Sequence, residues 1–510
     1  MKNFIDLKKF EYWFIVGSQD LYGDETLKKV AEHAKIMADE FNKDPVLPGT
    51  VVLKPTAISP QMIRRLFEEA NADSSCAGII TWMHTFSPSK MWIQGLVINR
   101  KPLLHLHTQY NRDIPWASID MDFMNLNQAA HGDREHGYIH ARMRLPRKVV
   151  AGFWQDAEVR RRIGVWMRSA AAKKDGMESV VLRLGDNMRE VAVTEGDKTE
   201  AQIKFGWQIN TWGIGDLAAR YAKISDTEAE KLVEEYASLY ELASDLKPDF
   251  KSEPGASRNT VPGLAVREQA KIEIALKEML RNENAGAFTT TFQDLHGLPQ
   301  LPGLACQRLM EQGYGFGAEG DWKQSMLTRA AKVMASGLCG GVSFMEDYTY
   351  HFEPGKEAVL GSHMLEICPS IAGGKPRIEV HPLGIGGKAD PARLVFDGEP
   401  GAAVLATLVD LGNRFRMIVN EIEAIKIENA MPKLPVACVL WRPYPSLSGA
   451  AESWILAGGT HHAVYTRALT TEYFRDWAEM NEVEFVLIDK ETKSDRFREE
   501  LRWNEAYWNK

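Results

Sequence analysis

The sequence predicts an α/β protein in which two doubly wound, Rossmann-like α/β domains precede a β-rich, barrel-like C-terminal domain. Three features carry this prediction. Strand and helix patterns alternate through the first third, the alternation resumes at Ser179, and beyond about Met334 short β-rich pieces are separated by glycine and proline. Strand–helix–strand alternation is typical of parallel sheets covered by helices on both faces. We therefore divide the chain into domains 1–180, 181–338 and 339–510.

The first domain begins with an apolar strand, Tyr12–Val16, that ends in the polar sequence GSQDLYG. A helical pattern follows over Glu25–Phe41, and the β-rich segment Thr50–Pro55 is the next strand. Further strands are predicted at Ala77–Met83 and Pro102–Thr108, with helices between them. Because ligands collect beyond the carboxyl ends of strands in such sheets, GSQDLYG and the later HTFSPS are candidate binding segments.

The second domain opens with the strand Ser179–Gly185 and continues with an amphipathic helix over Asp226–Ala243. A polar loop, Lys251–Gly263, precedes another long helix, and AGAFTTTFQDLHG supplies one more strand with a polar end. The third domain contains the β-rich segments GGVSFMEDYTYHF, KPRIEVHPLGIGG and ACVLWRPYP. Their separation by glycine and proline is typical of an antiparallel sheet or barrel.

Composition and charge argue against several classes of protein. Of the 510 residues, 45% are apolar and 25% charged, which is the balance of a folded globular protein. A net charge of −8 argues against an electrostatic hold on nucleic acid or an anionic membrane, and no apolar run is long enough for a membrane span. The cysteines are scattered and the N-terminus lacks a secretory signal pattern, so we expect a cytoplasmic protein without a disulfide framework.

The segment GGVSFMEDYTYHF carries the strongest chemical signal in the residues themselves. In a regular strand, one face would carry Val342, Phe344, Glu346, Tyr348 and Tyr350. Burying a carboxylate in line with valine and phenylalanine is costly unless a counter-charge or a metal ion accompanies it. This pattern therefore favours a functional role for the glutamate.

A second carboxylate, Glu319, stands in the glycine-rich stretch GYGFGAEGDWK, where the backbone can approach a ligand closely. On local sequence alone, an exposed loop acid is the more frequent interpretation of such a residue. Two carboxylates with one or two histidines suit a divalent ion such as Mn²⁺ or Mg²⁺. The wide spacing, 27 positions from Glu319 to Glu346, matches no short metal-binding motif.

A series of distinctive motifs runs along nearly the whole chain. In order they are YWFIVGSQDLYG, HTFSPSKMW, IDMDFMNLNQAAHG, GDNMREVAV, AFTTTFQDLHGLPQLPG, GYGFGAEGDWK, GGVSFMEDYTYHFEPG, VLGSHMLE, LGIGGKADPARLVF, GGTHHAVY and LRWNEAYW. Together these motifs resemble those of the L-arabinose isomerase family. The resemblance runs from about residue 10 to the end, and the motifs are highly specific when they occur together.

This resemblance implies an aldose–ketose isomerase that interconverts L-arabinose and L-ribulose in the first step of L-arabinose catabolism. D-galactose and D-tagatose are implied as a second substrate pair. The implied cofactor is one Mn²⁺ per subunit, with Co²⁺ or Mg²⁺ as substitutes. The family form is a homohexamer of two trimers, in which a neighbouring subunit completes each active site.

The resemblance also implies roles for individual residues. The implied metal ligands are Glu319, Glu346, His363 and His462, and the two glutamates are also the implied acid/base pair. The positions that match substrate-binding residues are Gln19, Gln128, His131, Met188, Phe292, Phe344 and His461. Gln128 and His131 belong to the motif that the adjacent subunit is expected to contribute.

Two stretches depart from the family pattern. Asp133, His136 and His140 stand where glycine or aromatic residues are expected, and Thr460 stands where alanine is more usual before the histidine pair. We expect these residues to lie close to the site without touching a metal ligand. There they would shift the pH optimum, the metal preference or the tolerance for D-galactose.

The sequence leaves the chemical route and two other functions open. Isomerisation can proceed through an enediol or through a metal-assisted hydride shift, and the sequence does not say which glutamate is the acid and which the base. One alternative function is a related sugar isomerase, such as one that acts on L-fucose. The other is a non-catalytic sugar-binding regulatory protein, which would not need both glutamates.

Overall fold

The computed structural model describes residues 5–246 and 262–508. It has two parallel sheets followed by a sheet-rich C-terminal part, which confirms the predicted fold class. Most of the predicted polar loop, Lys251–Gly263, lies outside the described residues. Among the described residues, no helix combines the length and the apolar character that crossing a membrane requires.

The chain forms two compact units. The N-terminal unit contains Asp6–Lys174 and Arg475–Glu482. The C-terminal unit contains Asp175–Phe474 and the segment that begins at Val483. The C-terminal unit therefore contains both the second parallel sheet and the sheet-rich part of the chain.

Five strands form the sheet of the N-terminal unit: β1 (Glu11–Gly17), β2 (Thr50–Leu53), β3 (Cys76–Met83), β4 (Leu103–His107) and β5 (Lys148–Ala151). Six helices connect or follow them: α1 (Gly23–Lys43), α2 (Pro60–Ala72), α3 (Ile93–Ile98), α4 (Met121–Asn125), α5 (Arg134–Arg142) and α6 (Ala157–Met177). The strands are parallel in the order β2-β1-β3-β4-β5. Every residue of the apolar strand β3 is buried, as expected for a parallel sheet.

The C-terminal unit begins with a second parallel sheet, built from β6 (Val180–Leu184), β7 (Gln208–Trp212), β9 (Ala285–Thr290) and β10 (Gly315–Gly317). Its helices are α7 (Lys198–Phe205), α8 (Ile214–Tyr221), α9 (Asp226–Leu239), α10 (Pro262–Asn282), α11 (Gly303–Glu311) and α12 (Trp322–Met334). The strand order is β10-β9-β6-β7. The turn that carries Glu319 therefore follows directly from the carboxyl end of an edge strand.

The sheet-rich part has seven strands: β11 (Val342–His351), β12 (Ala358–Ser362), β15 (Gly401–Asp410), β16 (Phe415–Ile425), β17 (Cys438–Pro443), β18 (His462–Thr466) and β19 (Glu484–Ile488). Their order is β15-β18-β11-β12-β17-β16-β19, and β15 also pairs with β16. That extra pairing makes the sheet barrel-like. It is not a closed barrel, because β17 pairs only with the end of β16 and β19 pairs with the preceding stretch of that strand. Three strands form a further small sheet: β8 (Glu241–Leu242), β13 (Arg377–Val380) and β14 (Ala392–Val395).

One core joins the second parallel sheet to the sheet-rich part. Leu182, Phe288 and Phe316 of the parallel sheet pack in the same buried cluster as Phe344 and Leu365. The cluster explains why both parts belong to one compact unit. The division into three domains at residues 180 and 338 stays a prediction.

The strand that carries Glu346 departs from the predicted alternation near its end. The register shifts between Asp347 and Thr349, so two residues of β11 occupy the space of one on β12. Glu346 is buried, whereas Tyr348 and Tyr350 are exposed. The prediction that the tyrosines continue the face of Glu346 was therefore wrong, because a bulge interrupts the strand.

Helices in the C-terminal third were also missed from the sequence. They are α13 (Leu447–Leu456), α14 (Thr471–Met480) and α15 (Ser494–Trp508). These helices were missed because they are short amphipathic segments placed among β-rich segments. Phe497 of α15, for example, packs in a small core with Ile418 and Val486 of the sheet.

Gly317 sets the distance between β10 and α12, and with it the position of the Glu319 turn. A Cβ atom at this position would lie 2.5 Å from the carbonyl oxygen of Asp321 and 2.8 Å from the backbone nitrogen of Ser325. Both neighbours are backbone atoms and cannot rotate away. Only glycine allows the strand and the helix N-terminus to approach this closely.

We expect Gly317→Ala to lower the free energy of unfolding by about 1–3 kcal/mol, the usual cost of overpacking. Denaturant unfolding followed by fluorescence measures this change. Gly374→Ala is the matched control, because a Cβ there meets no atom within 4 Å, and it should change stability by less than about 0.5 kcal/mol. A Gly317→Ala protein as stable as the control would contradict the role given to this close approach.

Candidate functional site

Four side chains that are far apart in sequence meet in the C-terminal unit because of the register of three strands. Glu346 of β11 pairs with His462 of β18 on one side and with Ser362 of β12 on the other. His363 follows Ser362 directly, and Glu319 reaches the same place from the turn after β10. Strand pairing therefore brings two acids and two imidazoles together.

The two imidazoles point their Nε2 atoms at one carboxylate oxygen. His363 Nε2 lies 3.2 Å and His462 Nε2 lies 3.3 Å from Glu346 Oε1. Glu319 Oε2 lies 3.7 Å from His462 Nε2. The candidate donor atoms of Glu319, Glu346 and His363 all lie within 4.8 Å of one another. The four groups thus surround a single small volume.

Glu319 lies in a strained turn that hydrogen bonds hold in place. Its φ angle is +61°, a left-handed conformation that a non-glycine residue adopts at a cost of about 1–3 kcal/mol. Its carbonyl oxygen accepts a hydrogen bond from the backbone N–H of Met188, and the N–H of Gly320 donates to Thr290 at the end of β9. Outliers of this kind cluster at functional sites, where the surroundings enforce them.

Two buried carboxylates that the sequence analysis missed orient the imidazoles. His363 Nδ1 lies 2.5 Å from Glu366 Oε2, and His462 Nδ1 lies 3.0 Å from Asp321 Oδ2. With Nδ1–H donating to a carboxylate, each ring presents the Nε2 lone pair to the site. Both carboxylates lie within motifs quoted above, Asp321 in GAEGDW and Glu366 in GSHMLE. Each is only a few residues from an expected metal ligand, and this proximity in sequence could have indicated them.

The site pushes the pKa values of its two glutamates apart. Burial alone would raise the pKa of Glu346, but the adjacent imidazoles of His363 and His462 hold it well below its usual range. Burial raises the pKa of Glu319, and the nearby imidazoles only partly oppose that effect. In the absence of an ion, Glu346 is therefore the anionic partner of the imidazoles, and Glu319 is the easier carboxylate to protonate.

Both imidazoles have a raised pKa. Burial lowers the pKa of His462, but the hydrogen bond to Asp321 and the adjacent Glu346 outweigh it and raise the pKa to about 9. Burial likewise opposes charge on His363, but Glu346 and Glu366 raise its pKa well above the ordinary value. The protons on these rings neutralise a cluster of carboxylates that a cation could neutralise instead.

The donor set fits a divalent cation. His462 Nε2 is buried and has no partner with hydrogen-bond geometry among the described residues, although two carboxylates lie next to it. Two imidazole nitrogens and two carboxylates are ligands that Mn²⁺, Co²⁺ and related ions accept. Glu319, Glu346, His363 and His462 are therefore the residues that could hold an ion.

Aromatic rings support the imidazoles from behind. Phe344 is fully buried and packs edge-on against both rings, with centroids 5.5 Å from His363 and 5.2 Å from His462. Phe292 lies nearly parallel to His363 at 5.9 Å. The rings exclude water from one side of the site. Substrate contact by either phenylalanine stays a prediction.

A cavity of about 260 Å³ adjoins this cluster. Its walls include Met188 and Phe292, two of the positions matched to substrate-binding residues, together with Gln293, His296 and Lys388. Phe292 contributes to both the cavity wall and the support of His363. The cavity combines apolar and hydrogen-bonding side chains, as small polar ligands require.

The remaining matched positions in the first domain lie together in the N-terminal unit. Gln128 Nε2 donates to the hydroxyl of Tyr22, and His131 Nδ1 lies 3.2 Å from Gln128 Oε1. Gln19 is the residue before the short turn that contains Tyr22. Gln19 follows the carboxyl end of β1, and Gln128 and His131 follow α4. Ligands of such folds bind beyond the carboxyl ends of the strands.

The histidine pair of GGTHHAVY divides into a buried and an exposed member. His462 is completely buried, whereas His461 is exposed and its ring centroid lies 4.4 Å from that of His462. The hydroxyl of Thr460 donates to the carbonyl oxygen of His462. The expectation that this threonine touches no ligand residue was therefore wrong, because the turn before β18 folds its side chain back onto the histidine backbone.

Comparison with protein-family models finds three consecutive matches. Residues 6–178 match the model of the L-arabinose isomerase N-terminal domain, residues 180–337 the central domain, and residues 341–484 the C-terminal domain. Curated proteins called L-arabinose isomerase match over 99% of this chain and 99% of their own length. The identity is 62% for the protein of Thermotoga petrophila and 58% for that of Geobacillus stearothermophilus.

With Mn²⁺ as the probe, we expect Glu366→Gln to weaken divalent-cation binding at the candidate site by about 10- to 100-fold, because the amide no longer fixes the His363 ring in the required tautomer. Isothermal titration of chelator-treated protein measures the affinity. Asp321→Asn should act similarly on His462, although Asp321 also caps α12 and its loss affects stability as well. The exposed Asp20→Asn is the control. Unchanged Mn²⁺ affinity in both variants would contradict the orienting role.

Proposed function

The chain belongs to the L-arabinose isomerase family and is an aldose–ketose isomerase, and we propose that it interconverts L-arabinose and L-ribulose with a bound divalent cation. Glu319, Glu346, His363 and His462 would hold this ion. The observation that carries the proposal is the convergence of two Nε2 atoms on Glu346, with both Nδ1 atoms already engaged by other carboxylates.

The proposed ion is Mn²⁺, one per subunit, with Co²⁺ or Mg²⁺ as substitutes. Mixed imidazole and carboxylate ligands support a hard or borderline ion that keeps positions open for substrate oxygens. Such an ion polarises a carbonyl and stabilises the developing oxyanion, a contribution of several kcal/mol.

The protein's own groups would manage the protons. Glu319 lies in the turn beside the cavity wall and has the higher pKa in the ion-free site, which supports it as the carboxyl group that gives and takes protons at the sugar. Glu346 has the lower pKa and supports the site as a permanent anion. Separation of two carboxylate pKa values is how enzymes divide acid and base roles. The choice between an enediol and a hydride shift stays open.

Several finer features belong to the same proposal. Gln19, Gln128, His131, Met188, Phe292, Phe344 and His461 would surround the sugar. D-galactose and D-tagatose would form a second substrate pair, and the reaction would open L-arabinose catabolism in the cytoplasm. We propose a hexamer of two trimers in which the group at Gln128 and His131 completes a neighbour's site.

The two alternative functions are disfavoured. An isomerase for L-fucose and a non-catalytic sugar-binding protein would each have to share full-length identity of about 60% with proteins called L-arabinose isomerase. The chain also keeps both glutamates at the convergence of the imidazoles.

Purified protein should form a ketose from L-arabinose, lose that activity in EDTA and regain it with Mn²⁺. Glu319→Gln should lower kcat by at least about 10²-fold, because acid–base catalysis contributes 10²–10⁴-fold. Glu346→Gln should lower kcat by a similar factor, because it removes an anion that would hold the ion, whose polarising effect contributes several kcal/mol. Ketose formation in a colorimetric assay is the measurement. Glu357→Gln replaces an exposed glutamate and should leave kcat unchanged. Full turnover in demetallated protein would refute the proposal.

Mn²⁺ affinity should rise with pH up to at least about pH 9. His462 holds a proton below its pKa of about 9 in the ion-free site, and a cation must displace that proton from Nε2. Each displaced proton makes the affinity rise about tenfold per pH unit below that pKa. Titration calorimetry between pH 6.5 and 9.5 measures the slope.

His461→Asn is the control for this pH dependence. Partial burial of the ring and the neighbouring His462 lower the pKa of His461, so this ring should not add to the slope. The variant should keep both the bound ion and the slope. Loss of the ion in His461→Asn, with retention in His462→Asn, would show that the two histidines have the opposite roles.

A further inference from the structure

A second group of metal-type donors lies in the N-terminal unit. His105, His107 and Asp133 each offer one donor atom, and these atoms lie within 4.8 Å of one another. The side chains of Asp133 and His105 are 0% and 4% exposed, whereas His107 is 27% exposed. None of these residues belongs to the Glu319 site.

Strand geometry and one hydrogen bond to the backbone explain the positions of these donors. His105 and His107 are two positions apart on β4, so their side chains lie on the same face of the sheet. Asp133 ends the short π-helical turn Ala129–Asp133 that precedes α5, and its Oδ1 accepts a hydrogen bond from the N–H of Met83 at the end of β3. The carboxylate is therefore fixed between two neighbouring strands.

A single carboxylate oxygen serves both imidazoles. His105 Nε2 lies 2.7 Å from Asp133 Oδ2, and His107 Nδ1 forms a short hydrogen bond to the same oxygen. Burial alone would raise the pKa of Asp133, but the hydrogen bonds from the two imidazoles outweigh it and lower the pKa. A buried anion with two imidazoles gathered on one of its oxygens is suited to a cation.

Two further histidines lie behind this group. His136 and His140 are one turn apart on α5, completely buried, with ring centroids 5.3 Å and 5.8 Å from that of His105. Among the described residues, both ring nitrogens of His140 and the Nδ1 atoms of His136 and His105 have no hydrogen-bond partner. Leaving a buried polar atom unpaired costs about 1–3 kcal/mol, so a further polar partner near these four nitrogens would stabilise the cluster.

We propose that His105, His107 and Asp133 form a second cation site, which takes a borderline transition-metal ion of the Zn²⁺ class. Two imidazoles and one carboxylate are a common three-residue set for zinc, and the exposed edge of His107 leaves a position for a water ligand.

The competing interpretation is a hydrogen-bonded cluster that only stabilises the sheet. In that case the aspartate accepts two N–H groups, and no ion binds with defined stoichiometry. The two interpretations differ in the number of ions per chain. Their difference does not depend on isomerase activity, nor on whether the Glu319 site binds Mn²⁺.

The test uses full-length His363→Asn/His462→Asn protein, in which the other candidate site lacks both imidazoles. After chelator treatment, this protein should bind one Zn²⁺ per chain by equilibrium dialysis and elemental analysis, and Co²⁺ should give visible absorption typical of a four-coordinate ion. Adding His107→Gln should remove that ion, and adding Asp133→Asn should do the same. Adding His33→Gln is the matched control and should leave it bound.

Absence of a stoichiometric Zn²⁺ in the double variant, or its retention after His107→Gln, would overturn the proposal. If the double variant does not fold, the count is made in otherwise unaltered protein. There, His107→Gln should lower the number of bound ions by one per chain. Because His107 is partly exposed, this substitution perturbs the core less than a change at Asp133.

Discussion

Glu346 brings a negative charge into the interior of the sheet-rich part, and the remaining features of the site compensate for that charge. A buried carboxylate is tolerated only with a counter-charge or strong hydrogen bonds. The register of β11 supplies both, because β18 and β12 place His462 and His363 on either side of it. A slip of one residue in that register would turn Glu346 to the opposite face and separate the three groups.

The same interaction ties the site to the packing of the C-terminal unit. His462 donates to Asp321, and Asp321 also caps α12 by accepting hydrogen bonds from the backbone of Lys323 and Gln324. The helix in turn rests against β10, from which the Glu319 turn follows. Strand register, helix position and the strained turn are therefore consequences of one connected network, and a change in one member is transmitted to the others.

The sequence could predict what depends on local pattern. The apolar run of β3, the alternation around Phe344 and Glu346, and the glycines before Glu319 all have direct physical meanings. Resemblance supplied the two histidines, which have no regular spacing. The bulge after Asp347 and the contact of Glu366 with His363 could not be predicted, although Glu366 stands close to His363 in sequence, because both depend on which strands pair and on which ring faces which acid.

The two donor clusters differ in the number of carboxylates per imidazole, and this difference has chemical consequences. In the C-terminal unit, His363 and His462 each have Nδ1 engaged by its own carboxylate, and their Nε2 atoms face two more acids. Oxygen-rich surroundings of this kind favour a hard ion such as Mn²⁺.

In the N-terminal unit, one aspartate serves both His105 and His107, and the unpaired nitrogens belong to further imidazoles. Nitrogen-rich surroundings favour a borderline ion instead. The two clusters would thus provide distinct environments for two different cations. The chemistry of the ligands, rather than the overall affinity of either cluster, would determine which ion binds at which site.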